Sequence, residues 1–217
     1  EKKQAMKVVE YLNKIGFLGS NVVGAHCVWL SKNEVRLLGQ SGTKVAHCPV
    51  SNMKLAVGAA APIPEMMENG VCVGLGTDGA ASNNTLNMFE TMKFCALLHK
   101  HSRWDPTVLR AQTTLDLATI EGARVLGMEK EIGSVEIGKS ADLILVNTRS
   151  PNLTPIHGRG TVISDLVYSA SAADVDTTIV NGRILMEKRQ FLTLDPNAIR
   201  DNVRRVTEDL LARSTGS

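Results

Sequence analysis

Three short apolar runs mark the first third of the chain: NVVGAHC (21–27), TKVAHCP (43–49) and VCVGLGTD (71–78). Between and after them lie helical segments. SKNEVRLLGQSG (31–42) reads as a helix capped by Ser31 with Gly42 behind it, and IPEMMENG (63–70) as a short helix closed by Gly70. LNMFETMKFCALLHKH (86–101) carries apolar residues at three- and four-residue spacing, and PTVLRAQTTLDLATIEGARVLGM (106–128) reads as a further helix with Pro106 near its start. Short apolar strands separated by helices predict an α/β fold, with a parallel sheet covered on both faces. The chain opens inside another helical pattern (Ala5, Met6, Val8, Val9, Leu12, Ile15), with no cap and no initiating Met. A helix that starts this way implies the later part of something longer.

The pattern changes near Met128. GSVEIGKSADLILVN (133–147) holds a glycine-rich turn and then a continuous apolar strand. LVYSA (166–170), VDTTIVNG (175–182) and RILMEKRQFL (183–192) read as strands, and Asn181-Gly182 between the last two is a strong hairpin signal. DPNAIRDNVRRVTEDLLARS (195–214) closes as an amphipathic helix, with Ile199, Val203, Val206, Leu210 and Leu211 along one side. The expected organisation is an α/β part over 1–128, a small β part over 129–195 and a C-terminal helix over 196–217.

Composition narrows the function classes. The chain has 217 residues, 43% hydrophobic, with 24 basic and 22 acidic side chains and a net charge of +2. A nucleic-acid binder needs a clustered basic stripe, and none is present. No apolar run reaches the roughly 18 residues of a membrane helix, and no signal-peptide pattern opens the chain. Cys27, Cys48, Cys72 and Cys95 are scattered with no CxxC pair. They fit buried free thiols in a reducing cytoplasm better than a disulfide frame or a structural zinc site.

Each α/β strand finishes on a residue capable of chemistry: His26, His47 and Asp78. Ligands of parallel α/β folds bind at the carboxyl ends of the strands, so these three side chains are expected to converge on one pocket. Each also has a plainer reading. Asp78 suits a helix cap or turn, His26 a satisfied buried histidine, and His47, ahead of Cys48-Pro49, a brace for its loop.

The segments GAHCVWL (24–30), VAHCPVSNMKLA (45–56) and GLGTDGAASNNTLNMFETMK (74–93) resemble the late barrel segments of the amidohydrolase superfamily. Within it they are most similar to the 5-methylthioadenosine/S-adenosylhomocysteine deaminases. GSVEIGKSADLILVN resembles that family's return strand into its small domain, and TTIVNGRILMEK (177–188) its final hairpin. The resemblance runs from about Asn21 to Phe191. It implies strands six to eight of a (β/α)8 TIM barrel, followed by a small β-sandwich-like composite domain.

It also implies a zinc-dependent hydrolytic deaminase of an adenosine-type nucleoside. In that pattern Asp78 is a zinc ligand and proton shuttle. His26 hydrogen-bonds the attacking water or the developing charge, and His47, positional in role, is counted with His26 and Asp78 among the residues that bind the substrate. Ser82 and Asn83 line the pocket, and Ser51, Asn52 and Lys54 shape its wall. The implied partners are a purine nucleoside and the N-terminal half of the same polypeptide; a homo-oligomer is compatible, and neither nucleic acid nor membrane is expected.

The family's His-x-His pair, its fifth-strand histidine and the glutamate three residues after it are not found in the chain. HKH (99–101) has the spacing of the pair but ends a helix, and reads as a solvated helix terminus; His157 reads as structural. VGAAAPIPEMM (57–67) is one residue longer than the family's usual run. Guanine or cytosine deaminases and triazine-type chlorohydrolases share the same late-barrel residues. A non-catalytic scaffold that keeps the fold without the metal belongs to a different class of alternatives. A doubly wound binding domain is disfavoured, because VVGAHC is not a glycine-rich phosphate turn.

Overall fold

A computed structural model describes residues 6–158 and 160–214. The opening pattern forms α1 (Val8–Lys14), with Ala5 outside the described residues. The three apolar runs form β1 (Val23–Ala25), β2 (Lys44–His47) and β3 (Val73–Leu75). They make a parallel sheet in the order β1-β2-β3, with Val23 beside Lys44, Val45 beside Val73 and His47 beside Leu75.

Each strand is followed by a helix, as a parallel sheet requires. After β1 comes α2 (Lys32–Ser41), and its start is specified locally. Ser31 caps the helix, and the Glu34 carboxylate accepts from the Ser31 backbone N–H at 2.9 Å in a capping box. Gly42 ends the helix in the left-handed conformation at φ 71. After β2 the chain enters α3 (Pro49–Lys54) directly, and α4 (Ile63–Glu68) returns to the sheet. After β3 come the short α5 (Ala80–Asn83) and the long α6 (Met88–Arg103).

The segment 106–128, expected as one helix, is two: α7 (Ala111–Ala118) and α8 (Ile120–Leu126). The break is at Thr119, whose φ of −123 and ψ of −97 lie outside the helical region. Gly122 of α8 lies against Gly74 of β3, where an added Cβ on Gly74 would be 2.9 Å from the Gly122 Cα. The core between sheet and helices holds Val45, Val73, Val35, Leu38, Ile63, Met66 and Leu117, all at 2% exposure or less. Each such side chain contributes about 1.5–3 kcal/mol of transfer free energy.

By contact density the chain forms two compact units, one of residues up to Lys139 with Thr148–Asp174, the other of Ser140–Asn147 with the residues from Val175 onward. Thr148–Asp174, inside the span read as the small β part, thus clusters with the first unit. LVYSA, expected as a strand, belongs to the end of α9 (Val162–Tyr168), with Val167 fully buried. Its Leu-Val-Tyr run buries one face of a helical turn, and a short apolar run has no periodicity to tell the two apart.

The second unit is an antiparallel sheet of β4 (Leu143–Val146), β5 (Val175–Val180), β6 (Arg183–Glu187) and β7 (Gln190–Phe191), in that order. Asn181 and Gly182 both take positive φ, 48 and 75, as a two-residue hairpin demands. Lys188 and Arg189 do the same at 47 and 64, without a glycine to announce it. α10 (Pro196–Ser214) follows with its apolar stripe exposed. Among the described residues no helix is long and apolar enough to cross a membrane.

Candidate functional site

β1 and β3 both leave the sheet through a residue in the left-handed region. His26 has φ 66, with Cys27 next at 47, and Asp78 has φ 63. Such a conformation costs a non-glycine residue about 1 kcal/mol or more, and it persists only where the surroundings over-determine it. Here the ladder does so. The His26 N–H donates to the Ala46 carbonyl at 2.9 Å, and the Gly76 N–H donates to the His47 carbonyl at 2.9 Å. The ladder thus reaches His26 itself on β1, and on β3 it reaches Gly76, two residues before Asp78.

The two side chains meet. His26 Nε2 lies 3.8 Å from Asp78 Oδ2, with both partly exposed. Asp78 Oδ2 accepts from the Ser51 hydroxyl at 2.6 Å, and Oδ1 accepts from the Gly79 N–H at 2.7 Å. The Ser51 hydroxyl, then the Gly79 amide and, after a small opposing desolvation, the His26 and Ser82 side chains hold the Asp78 carboxyl below the usual carboxylate range. It is therefore an anion at neutral pH. His26 Nδ1 is 2.8 Å from Asn52 Oδ1. An Nδ1–H donated to that oxygen would fix the ring with Nε2 toward Asp78.

Asn83 is buried and donates from Nδ2 to the Thr77 carbonyl at 2.7 Å, bracing the backbone just before Asp78. Ser82, one residue closer, is half-buried. Lys54 hydrogen-bonds Asn84 Oδ1 and donates to the Ala81 carbonyl at 3.4 Å, tying α3 to α5. His26, Asp78, Ser51, Asn52 and Ser82 thus gather at one end of the sheet.

His47 is placed differently. It is fully buried, and its Nε2 lies 3.1 Å from Nε2 of His99 on α6, also fully buried. A substrate has nothing to touch there; the His47 side chain instead ties the end of β2 to α6. The expectation that HKH is a solvated helix end fails for its first residue. Met92, Cys95, Ala96 and His99 form the buried stripe of α6, whereas His101 is exposed. That three-four spacing was readable, and continuing it four residues past Cys95 reaches His99. His157 is exposed.

Burial lowers both imidazoles, His47 to about 3, helped by the charges of His99 and His26, and His99 to about 4, helped by Arg103. Both are neutral at pH 7, so one Nε2–H donates to the other Nε2. Ligand atoms of His47, Cys95 and His99 lie within 4.8 Å of one another. The two Nε2 atoms share one hydrogen between them, so two lone pairs do not face a common point, and the cluster packs as core. The four cysteines are free, with Cys48 and Cys95 buried and Cys27 and Cys72 half-buried. Burial pushes the Cys48 thiol up to about 11 and Cys95 to about 12, so neither is a thiolate. A cavity of about 490 Å³ lies elsewhere, under α1 and α2. Its lining includes Leu12, Leu18, Val22 and Leu38 but neither His26 nor Asp78.

A model of the amidohydrolase family matches residues 1–185. The chain belongs to that family. As an amidohydrolase it is 47% identical over 205 residues to a 5'-deoxyadenosine deaminase of Methanobrevibacter smithii, covering 94% of this chain and 46% of that protein. It is 50% identical over 191 residues to a 5-methylthioadenosine/S-adenosylhomocysteine deaminase of Moorella thermoacetica, covering 88% of this chain and 44% of that one. Among solved structures, an adenosine deaminase from Xanthomonas campestris with bound zinc matches with a TM-score of 0.91 at 33% identity, over 97% of this chain and 47% of that chain. An atrazine chlorohydrolase from Arthrobacter aurescens complexed with zinc matches at 0.84 and 27%, over 93% and 44%. The amidohydrolase chain thus spans about half the length of the curated relatives it matches.

Proposed function

We propose that the protein carrying this chain is a metal-dependent hydrolytic deaminase of an adenosine-type nucleoside: 5'-deoxyadenosine, 5-methylthioadenosine, S-adenosylhomocysteine or adenosine. The observation that carries the reading is the meeting of Asp78 and His26, delivered by two different strands to within 3.8 Å at one sheet end. The deaminase names of the relatives support it. In this reading β1, β2 and β3 are strands six to eight of a (β/α)8 barrel, and the sheet of β4 to β7 belongs to a composite small domain.

Asp78 suits a divalent cation. It is anionic and partly exposed, and its two oxygens have four lone-pair sites, more than the Ser51, Gly79 and Ser82 contacts occupy. Zinc, as in the solved relatives named above, is the ion proposed, and Asp78 is the ligand this chain offers. One carboxylate does not hold an ion, so the remaining ligands belong to the half of the relatives that this chain does not span. When bound, such an ion lowers the pKa of a coordinated water to about 7.

The chain's own residues then do the following. Asp78 accepts the proton of the water as its oxygen adds to C6 of the adenine ring. His26, with Nδ1 engaged by Asn52, presents Nε2 to the water and accepts a hydrogen bond that orients its oxygen. Ser82 borders the substrate. Asp78 passes the proton it took from the water to the C6 amino group, the C6–N bond breaks, ammonia leaves and an inosine-type product remains.

The chlorohydrolase neighbour favours a second reading, a guanine or cytosine deaminase or a triazine chlorohydrolase on the same frame. The test is ammonia release from a panel of adenosine derivatives, with guanine, cytosine and a chlorotriazine alongside and the metal content measured on the same sample. Ammonia from a 5'-modified adenosine supports the proposal. Release from guanine or cytosine, or chloride from the triazine with no purine nucleoside turned over, transfers it to the second reading. No turnover and no bound metal make the protein a non-catalytic member of the family.

A further inference from the structure

β2 is the middle strand of the sheet, so the segment that leaves it lies between the ends of β1 and β3. That segment is α3, which starts at Pro49, two residues past the strand's last residue. Adjacent residues on a helix project about 100° apart. Ser51 and Asn52 use this divergence: Ser51 reaches Asp78 beyond β3 at 2.6 Å, and Asn52 reaches His26 beyond β1 at 2.8 Å. Ser51 is fully buried and Asn52 is 4% exposed. Neither offers a substrate any surface.

We propose that Ser51 and Asn52 are a two-pronged clamp, positioning residues that fix the carboxylate of Asp78 and the tautomer of His26 for the reaction. The proposal rests on the deaminase reading above only for its kinetic consequence. The Ser51 hydroxyl has one hydrogen, and it is given to Oδ2, which sets the rotation of the carboxylate. Asn52 Oδ1 can only accept, so it holds a hydrogen on His26 Nδ1 and, in the neutral ring, selects the tautomer whose Nε2 is the acceptor on the side toward Asp78. The frame that carries the prongs is itself fixed. Pro49 stands at the first turn of α3, the His47–His99 pair lies just before it, and Lys54 ties its end to α5.

Ser51→Ala, Ser51→Thr, Asn52→Leu and Asn52→Asp in the protein carrying this chain test the clamp. Two readouts are taken: steady-state deamination, and the ring ¹⁵N chemical shifts of His26, assigned by their loss in His26→Gln. Ser51→Ala is expected to lower kcat by about ten- to a hundredfold with KM changed less than about twofold, since small misplacement of a reacting group is costly. Ser51→Thr, which keeps the hydroxyl, recovers most of that loss. The wild-type shifts are expected to report the Nδ1–H form. Asn52→Asp retains it, and Asn52→Leu shifts His26 toward the Nε2–H form that predominates in free imidazole side chains. Undiminished kcat in Ser51→Ala, or an unchanged His26 tautomer in Asn52→Leu, overturns the proposal, and so does a wild-type His26 protonated on Nε2. If Asn52→Leu does not fold, the wild-type and Asn52→Asp shifts decide the Asn52 prong. If no nucleoside is deaminated, the ¹⁵N shifts still decide that prong, so its failure and the failure of the deaminase reading are told apart.

Discussion

Replacing His99 with leucine removes one half of a hydrogen bond sealed inside the first unit. His47 and His99 are both fully buried, their Nε2 atoms are 3.1 Å apart, and neither Nδ1 has a partner among the described residues. His99→Leu therefore forfeits about 1 kcal/mol of net hydrogen bonding and strands a polar nitrogen of His47, at about 1–3 kcal/mol more. The expected loss is about 2–4 kcal/mol. The double variant His47→Leu/His99→Leu removes both polar partners and is expected to be more stable than the sum of the single losses, with a coupling of about 1–3 kcal/mol. Urea unfolding of wild type, both singles and the double measures this cycle. The pair also sets a pH dependence. Both folded-state pKa values, about 3 and about 4, lie below the ordinary histidine value of 6.5, so between those limits the unfolded chain binds more protons. The pair's contribution is complete above about pH 6.5 and falls as pH drops toward 4, by up to about 1.4 kcal/mol per pH unit for each ring. The double leucine variant lacks that part of the slope. A His99→Leu variant within about 0.5 kcal/mol of wild type, or singles that simply add, refutes the reasoning.

Two further outcomes follow from the packing. Gly74→Ala places a Cβ 2.9 Å from the Gly122 Cα and 3.2 Å from Val125 Cγ2, so it is expected to cost about 1–3 kcal/mol in urea unfolding. Gly79→Ala, whose Cβ meets nothing within 4 Å at an ordinary φ of −68, is the matched control. Burial alone raises the Asp174 carboxyl, but hydrogen bonds from Asn152, Ser150 and Ser171 outweigh it and lower the group to about 2. Its folded pKa is depressed, so its contribution is present above about pH 4 and is lost as pH falls toward 2. Asp174→Asn should destabilise by about 1–2 kcal/mol at pH 7 and by progressively less on acidification, followed by urea unfolding at each pH.

Much of the frame was legible in the sequence because the signals are local. The Ser31–Glu34 box, Gly42 and Asn181-Gly182 each specify their turn through their own backbone demands. The three apolar runs are the three strands, and their last residues lead to His26 and Asp78. What stayed hidden depends on packing. LVYSA is too short for its period to decide between strand and helix. His99 stands at the end of a helix, where a solvated terminus is the local reading, although the stripe from Met92 through Cys95 carries it inward. The Ser51–Asp78 and Asn52–His26 contacts join residues 27 and 26 positions apart, and nothing in local pattern announces them.

The most direct test of the account is ammonia release from 5'-deoxyadenosine by the protein carrying this chain, compared with its Asp78→Asn variant at equal folded concentration. The amide keeps the size of the side chain but loses the anion. The account predicts a wild type that releases ammonia and a variant slower by about 10²–10⁴-fold, with less bound metal. A variant that deaminates at the wild-type rate contradicts it.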